Sequence, residues 1–162
     1  MNHSKNLSAI CLDYRGTLVD HNNEQELVSG MGNLLDAFKE KNVPMALISR
    51  FPADILIERL GSLKKYFKTH IYSGGGKEKL NCIKIFAQKL QVDDLSQIAF
   101  IDDKPNNFLP VSKKSDIFVI GFKGSGKYPD AENICREEKI AFAKTSHDIK
   151  NILSAHFPKC FI

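Results

Sequence analysis

Four polar positions stand at the ends of successive short apolar runs. Asp13 follows Ala9-Ile10-Cys11-Leu12, and Ser49 follows Met45-Ala46-Leu47-Ile48. Gly74-Gly75-Gly76-Lys77-Glu78-Lys79 follows the third run, and Asp102-Asp103 follow Phe100-Ile101. The set holds three carboxylates, one hydroxyl and one or two lysines. Carboxylates gathered at one edge repel each other unless a cation joins them, and Mg²⁺ with a phosphate is the usual solution. A lysine and a hydroxyl would then hold the phosphate oxygens. Each residue alone has a plainer reading, Ser49 as a helix cap and Asp102-Asp103 as a polar strand end. Four in order after four successive runs point to one site for phosphoryl chemistry.

Such a site needs elements that bring its residues to one edge. Runs that read as buried strands occur at 8–13, 44–49, 70–72, 97–102, 116–121 and 140–144. Between them lie apolar stripes at helical spacing, Met31, Leu34, Leu35 and Phe38 in one and Ile83, Phe86, Ala87 and Leu90 in another. Ile149, Ile152 and Leu153 predict a last helix, with Ser146 as its N-cap. Strands alternating with helices, without hairpin turn signals, predict an α/β fold, a mostly parallel Rossmann-like sheet covered on both faces. In such a sheet ligands bind beyond the carboxyl ends of the strands.

The 162 residues fit a single domain, 1–162, with 43% hydrophobic and 26% charged residues and a formal charge of +4. A mildly basic chain suits an anionic ligand. With no basic stretch interleaved with aromatics, nucleic acid is not indicated and most lysines read as a solvated surface. Cys11, Cys82, Cys135 and Cys160 show no CxxC spacing and read as buried thiols, and the five histidines form no metal-ligand spacing. The N-terminus is polar and no apolar run reaches the ~18 residues of a membrane span, so a cytoplasmic chain without membrane partners is expected.

Together these segments resemble the haloacid-dehalogenase-like (HAD) hydrolase superfamily over about residues 8–121. Its first motif, DxDGT, is matched by Asp13-Tyr14-Arg15-Gly16-Thr17, and its second by Ser49 at the end of an apolar strand. The third, a lysine ahead of or opening a helix, is served by Lys77 or Lys79, with Lys79 favoured. The fourth is matched by Phe100-Ile101-Asp102-Asp103-Lys104-Pro105-Asn106-Asn107. The resemblance implies a three-layer αβα sandwich and a Mg²⁺-dependent phosphatase. Asp13 would be the covalent nucleophile. Mg²⁺ would be held by Asp13, the backbone carbonyl of Arg15 and Asp103, with Asp102 acting through water. Ser49 and the lysine would bind the transferring phosphoryl group, with Thr17, Arg15 and Asn107 also on the substrate side. A phosphorylated substrate, small or macromolecular, is implied.

Arg15 departs from the pattern, which has there a second Asp that protonates the leaving oxygen and activates water. A guanidinium with a pKa above ~12 does neither at neutral pH, although its planar fork can bind phosphate. Three outcomes stay open: activity with Asp20, His21 or Glu24 standing in as acid, a long-lived aspartyl phosphate, or a catalytically degenerate binding protein. Asp13 and Ser49 stand 36 positions apart, and Ser49 and Lys79 30, leaving no room for an inserted cap domain. An open site is therefore expected, with 19–26 as its flap. Gly121-Phe122-Lys123-Gly124-Ser125-Gly126-Lys127-Tyr128 nearly satisfies a phosphate-loop pattern, but Tyr128 replaces the needed hydroxyl residue and Pro129 interrupts the helix that should follow. It reads as a Gly-rich connection near the active edge, and Gly74–Gly76 as a turn.

Overall fold

In the computed structural model, which describes residues 5–159, the strands are β1 (Ala9–Asp13), β2 (Met45–Ser49), β3 (Ile71–Ser73), β4 (Ile98–Asp102), β5 (Phe118–Phe122) and β6 (Ala141–Ala143). They form one sheet, all parallel, in the order β3-β2-β1-β4-β5-β6. The helices are α1 (Met31–Glu40), α2 (Ala53–Leu60), α3 (Lys64–Phe67), α4 (Glu78–Lys89), α5 (Pro105–Lys114), α6 (Ala131–Glu138) and α7 (Ser146–His156). His3 and Cys160 lie outside the described residues; Cys11, Cys82 and Cys135 are buried free thiols.

Strand alternation divides the core into two. Ile10 and Leu12 of β1, Met45 and Leu47 of β2, and Ala99 and Ile101 of β4 pack on one face with α1, α2, α3 and α7. Ala9 and Cys11, Ala46 and Ile48, and Ile98 and Phe100 pack on the other with α4, α5 and α6. Both faces of the central strands are thus covered, the usual condition of a parallel sheet, and the layers are α, β, α. No helix among the described residues is long and apolar enough to cross a membrane.

α1 buries Met31, Leu34, Leu35 and Phe38, the stripe read from the sequence. The start of α7 corrects the sequence reading: the N-cap is Thr145, not Ser146. Thr145 Oγ1 accepts from Asp148 N at 3.1 Å, and Asp148 Oδ2 accepts from Thr145 N at 3.1 Å. That reciprocal pair needs an acceptor three residues after the cap, which Thr145 has in Asp148 and Ser146 lacks, having Ile149.

Between β1 and β4 the strand order reverses. β2 and β3 lie to one side, β5 and β6 to the other, and crossovers leaving in opposite directions open a crevice there.

Candidate active site

Leu12 pairs with Ile101 across that crevice, so the next residues, Asp13 and Asp102, end neighbouring strands together. Lys79, in the first turn of α4, is fully buried between them. Its Nζ donates to Asp13 Oδ1 at 2.6 Å, to Asp102 Oδ2 at 3.0 Å and to the Ile48 carbonyl at 2.9 Å. Burial alone would lower the pKa of Lys79, but the charges of Asp102 and Asp13 outweigh it and hold the ammonium protonated. Burial and the Asp13 charge push Asp102 up to about 6, against the pull of Lys79. Lys77, two residues earlier, is exposed at the helix N-cap. Of the two lysines expected from sequence, only Lys79 meets the carboxylates.

Asp103 turns toward the same point. One oxygen from each of Asp13, Asp102 and Asp103 lies within 4.8 Å of the others. Burial, then the charges of Asp13 and Asp102, push Asp103 up to about 9. Its Oδ2 is buried without a hydrogen-bond partner. Three carboxylates that each bring an oxygen within reach of the others, with an unsatisfied oxygen on Asp103, fit a hard, oxygen-liganded divalent cation such as Mg²⁺. Thr17, expected on the substrate side, is fully buried, and its hydroxyl accepts from Asp103 N at 3.1 Å and donates to Asp103 Oδ1 at 3.4 Å. It positions the acid instead of facing a substrate. Gly16 makes room for Asp103: its φ is +85°, and a Cβ there would lie 2.2 Å from Asp103 Oδ2.

Around this cluster opens a cavity of about 320 Å³. Ser49 lines it from the end of β2, its Oγ accepting from Phe51 N at 3.3 Å. Asn107 bonds Gly76 N through Oδ1 at 3.0 Å and Asp102 Oδ1 through Nδ2 at 3.4 Å, tying the loop ahead of α4 to the acids. Arg15 reaches the rim, where its Nε donates to the His21 carbonyl at 3.2 Å and its guanidinium lies 5.7 Å from the centroid of the Phe51 ring. Of the three possible stand-in acids, Asp20 caps the turn at Asn22 and Asn23, and Glu24 pairs with Arg59. His21 alone of the three lines the cavity. Burial, then Lys127 and Arg15, lower its pKa.

The segment read as a flap is held by backbone bridges from Val19 to Arg15 and to Leu27, and it carries His21 to the cavity. The Gly-rich connection after β5 packs against this segment and also lines the cavity, through Lys127 and Tyr128. Ser125 N donates to the Gly16 carbonyl at 3.0 Å, Ser125 Oγ accepts from His21 N at 3.3 Å, and Lys127 Nζ lies 2.6 Å from His21 Nε2. Arg50 and Phe51 line the cavity without having been named from sequence, and so do Lys104 and Lys127, which were named only within longer segments and given no role. Arg50 and Lys104 directly follow Ser49 and Asp103, so adjacency to a motif was the signal available for them.

No family model matches this sequence, and no curated protein matches it. Solved structures do. A HAD-superfamily hydrolase from Ehrlichia chaffeensis is 16% identical, with a TM-score of 0.71 over 93% of this chain and 98% of that one. A HAD family hydrolase from Deinococcus radiodurans with bound phosphate and sodium is 12% identical, with a TM-score of 0.70 over 93% and 96%. The 3-deoxy-D-manno-octulosonate 8-phosphate phosphatase of Yersinia pestis is 18% identical, with a TM-score of 0.67 over 94% and 84%. These similarities, at such low identity, are similarities of fold, and they span nearly the whole of this chain with no inserted domain among its described residues. The chain has the haloacid-dehalogenase-like fold without a cap.

Proposed function

We propose that this protein is a phosphohydrolase that works through an aspartyl phosphate on Asp13. The observation that carries the reading is the buried Lys79 ammonium shared by Asp13 and Asp102, beside an Asp103 oxygen with no partner. A merely structural ion pair has no use for a third buried carboxylate left unsatisfied. Asp13 attacks phosphorus while the bond to the leaving oxygen breaks, and that oxygen takes up a proton from solvent. Water then attacks the aspartyl phosphate, the bond between phosphorus and the Asp13 oxygen breaks, and Asp13 is restored as phosphate leaves. Lys79 balances the charge of Asp13 and Asp102 throughout, and Ser49 holds a phosphoryl oxygen. Mg²⁺ held by Asp13, Asp103 and the backbone carbonyl of Arg15 would neutralise negative charge on the transferring group. Asp102, its oxygens bonded to Lys79 and Lys104 N, orients Lys79 and contributes through water.

Arg15 cannot supply or take the proton, and its contacts keep it at the rim. His21 is the titratable group that lines the cavity in its place, held neutral near pH 7 by burial and by Lys127, whose Nζ lies 2.6 Å from its Nε2. Solved structures of similar fold support a phosphorylated substrate: the enzyme from Moraxella catarrhalis (22% identical, TM-score 0.57 over 75% of this chain and 70% of that one) was seen with magnesium, phosphate and KDO. A second reading, a non-catalytic binding protein on the same scaffold, is favoured by Arg15 alone.

A time course of p-nitrophenyl phosphate hydrolysis with Mg²⁺, beside Asp13→Asn, tests the proposal. Its leaving group departs without protonation, so the missing acid at position 15 cannot hide an intact nucleophile. Steady turnover, lost in Asp13→Asn, is the expected result. A burst of about one equivalent followed by a stall would mean that phosphorylation succeeds and the water step fails. No product above Asp13→Asn would leave the binding-protein reading.

A further inference from the structure

The triple glycine Gly74–Gly76 is not used by the chemistry above, yet it borders a second, open groove of about 680 Å³ that adjoins the catalytic cavity. Arg50, Lys104 and Asn107 line both. The outer groove adds Lys77, so three cations face one carboxylate there, that of Glu78. Among the described residues, Arg50, Lys77 and Lys104 form no ion pair with a carboxylate. Cations left unpaired along a concave surface concentrate anions there.

Arg50 is also held in place. A Cβ on Gly75 would lie 2.5 Å from Arg50 Cγ and 2.8 Å from its Cδ, so the stem of Arg50 crosses directly over the bare Cα of Gly75. Gly76 N is tied to Asn107 Oδ1 at 3.0 Å, which fixes the loop that receives this stem. The glycine loop therefore seats a guanidinium between the catalytic cavity and the outer groove, where its planar fork suits a phosphate.

We propose that Arg50, with Lys104 and Lys77, forms a subsite for a second phosphate group on the substrate, and that Gly75 is its positioning residue. The proposal rests on the reading of the Asp13 edge as a phosphate site. The preferred substrate then carries two phosphates, one at Asp13 and one in the outer groove. The second phosphate is that of a small bisphosphate or of a phosphodiester strand.

The test is calorimetric and needs no turnover. Full-length Asp13→Asn protein in millimolar Mg²⁺ is titrated with alkyl monophosphates and with α,ω-alkanediol bisphosphates of two to six carbons. A dinucleotide bearing one terminal phosphate forms a separate arm. At some chain length the bisphosphate should bind about tenfold more tightly than its monophosphate, the factor that one charge-assisted hydrogen bond supplies. Arg50→Gln and Gly75→Ala should each erase most of that advantage, while Lys113→Gln, at the far end of α5 where the lysine pairs with Glu138, should keep it. A dinucleotide that shows the advantage where the alkanediol series does not identifies the strand as the source. No advantage in either arm, or one that survives both Arg50→Gln and Gly75→Ala, overturns the subsite. Hydrolysis of p-nitrophenyl phosphate by the unmodified protein reports separately on the catalytic reading, so the two can fail independently.

Discussion

Lys79 sets the charge balance of the candidate site, because its buried ammonium meets two carboxylates that would otherwise face each other. Replacing it with Met should cost roughly 3–5 kcal/mol of stability, the usual penalty for stranding buried charge, read by urea denaturation without Mg²⁺. A loss under 1 kcal/mol would mean that the acids are not ionised together. Asp103 gives a pH signature. Its folded value, about 9, lies above the unfolded one, about 3.9, so its contribution to the stability of the metal-free protein is complete below the unfolded value and is lost as pH rises toward 9. Mg²⁺ bound at Asp103 would have to displace that proton. The rise in melting temperature with millimolar Mg²⁺ should therefore be small near pH 5 and grow steadily toward pH 9. An equal rise at both ends would remove Asp103 from the metal site. Gly16→Ala should weaken the same Mg²⁺ response, since the new methyl would displace Asp103 Oδ2. Asp13, Ser49 and the acidic pair were legible because each ends an apolar run. The choice between Lys77 and Lys79 was open because two residues in a helix point to different sides, and sequence does not fix where the helix begins to within two positions. The bond between the Thr17 hydroxyl and Asp103 was not legible, because it joins residues 86 positions apart, which no local pattern records.

At the scale of elements, all six strands were legible, since buried parallel strands read as unbroken apolar runs. Stripes in α1 and α4 were equally plain. The others were blurred for physical reasons. α2 buries Leu56 and Leu60 but leaves Ile55 and Ile57 about 40% exposed, so its apolar face has no clean edge. α6 buries only Ala131 and Cys135, too few to make a stripe, and α5 carries Pro110 within it. The cap of α7 is a direct test of local chemistry. Thr145→Ala should cost about 1 kcal/mol, whereas Ser146→Ala should change stability by less than about 0.5 kcal/mol. The reverse order, measured by chemical denaturation, would restore the sequence-based assignment.

For the molecule as a whole, the sheet grades from a centre paired on both sides to edges of three residues each, β3 and β6. Amides of β1 and β4 should exchange with solvent far more slowly than those of β3 and β6, since opening the centre requires global unfolding. Similar rates would argue against a single cooperative sheet. The open site follows from short connections between motifs, visible in the sequence as spacing alone. The connection after β5, which holds the Gly16 carbonyl and the His21 segment, has a consequence in time. A ribosome moving from the N-terminus has already made Asp13, Ser49, Lys79 and Asp103 before it reaches Ser125 and Lys127. The nascent chain then carries every motif of the site and lacks the clasp that joins its first loop to its late one. A shortened chain ending at residue 115 should thus read as complete to a motif search, yet leave the Gly16 carbonyl and His21 without Ser125 and Lys127.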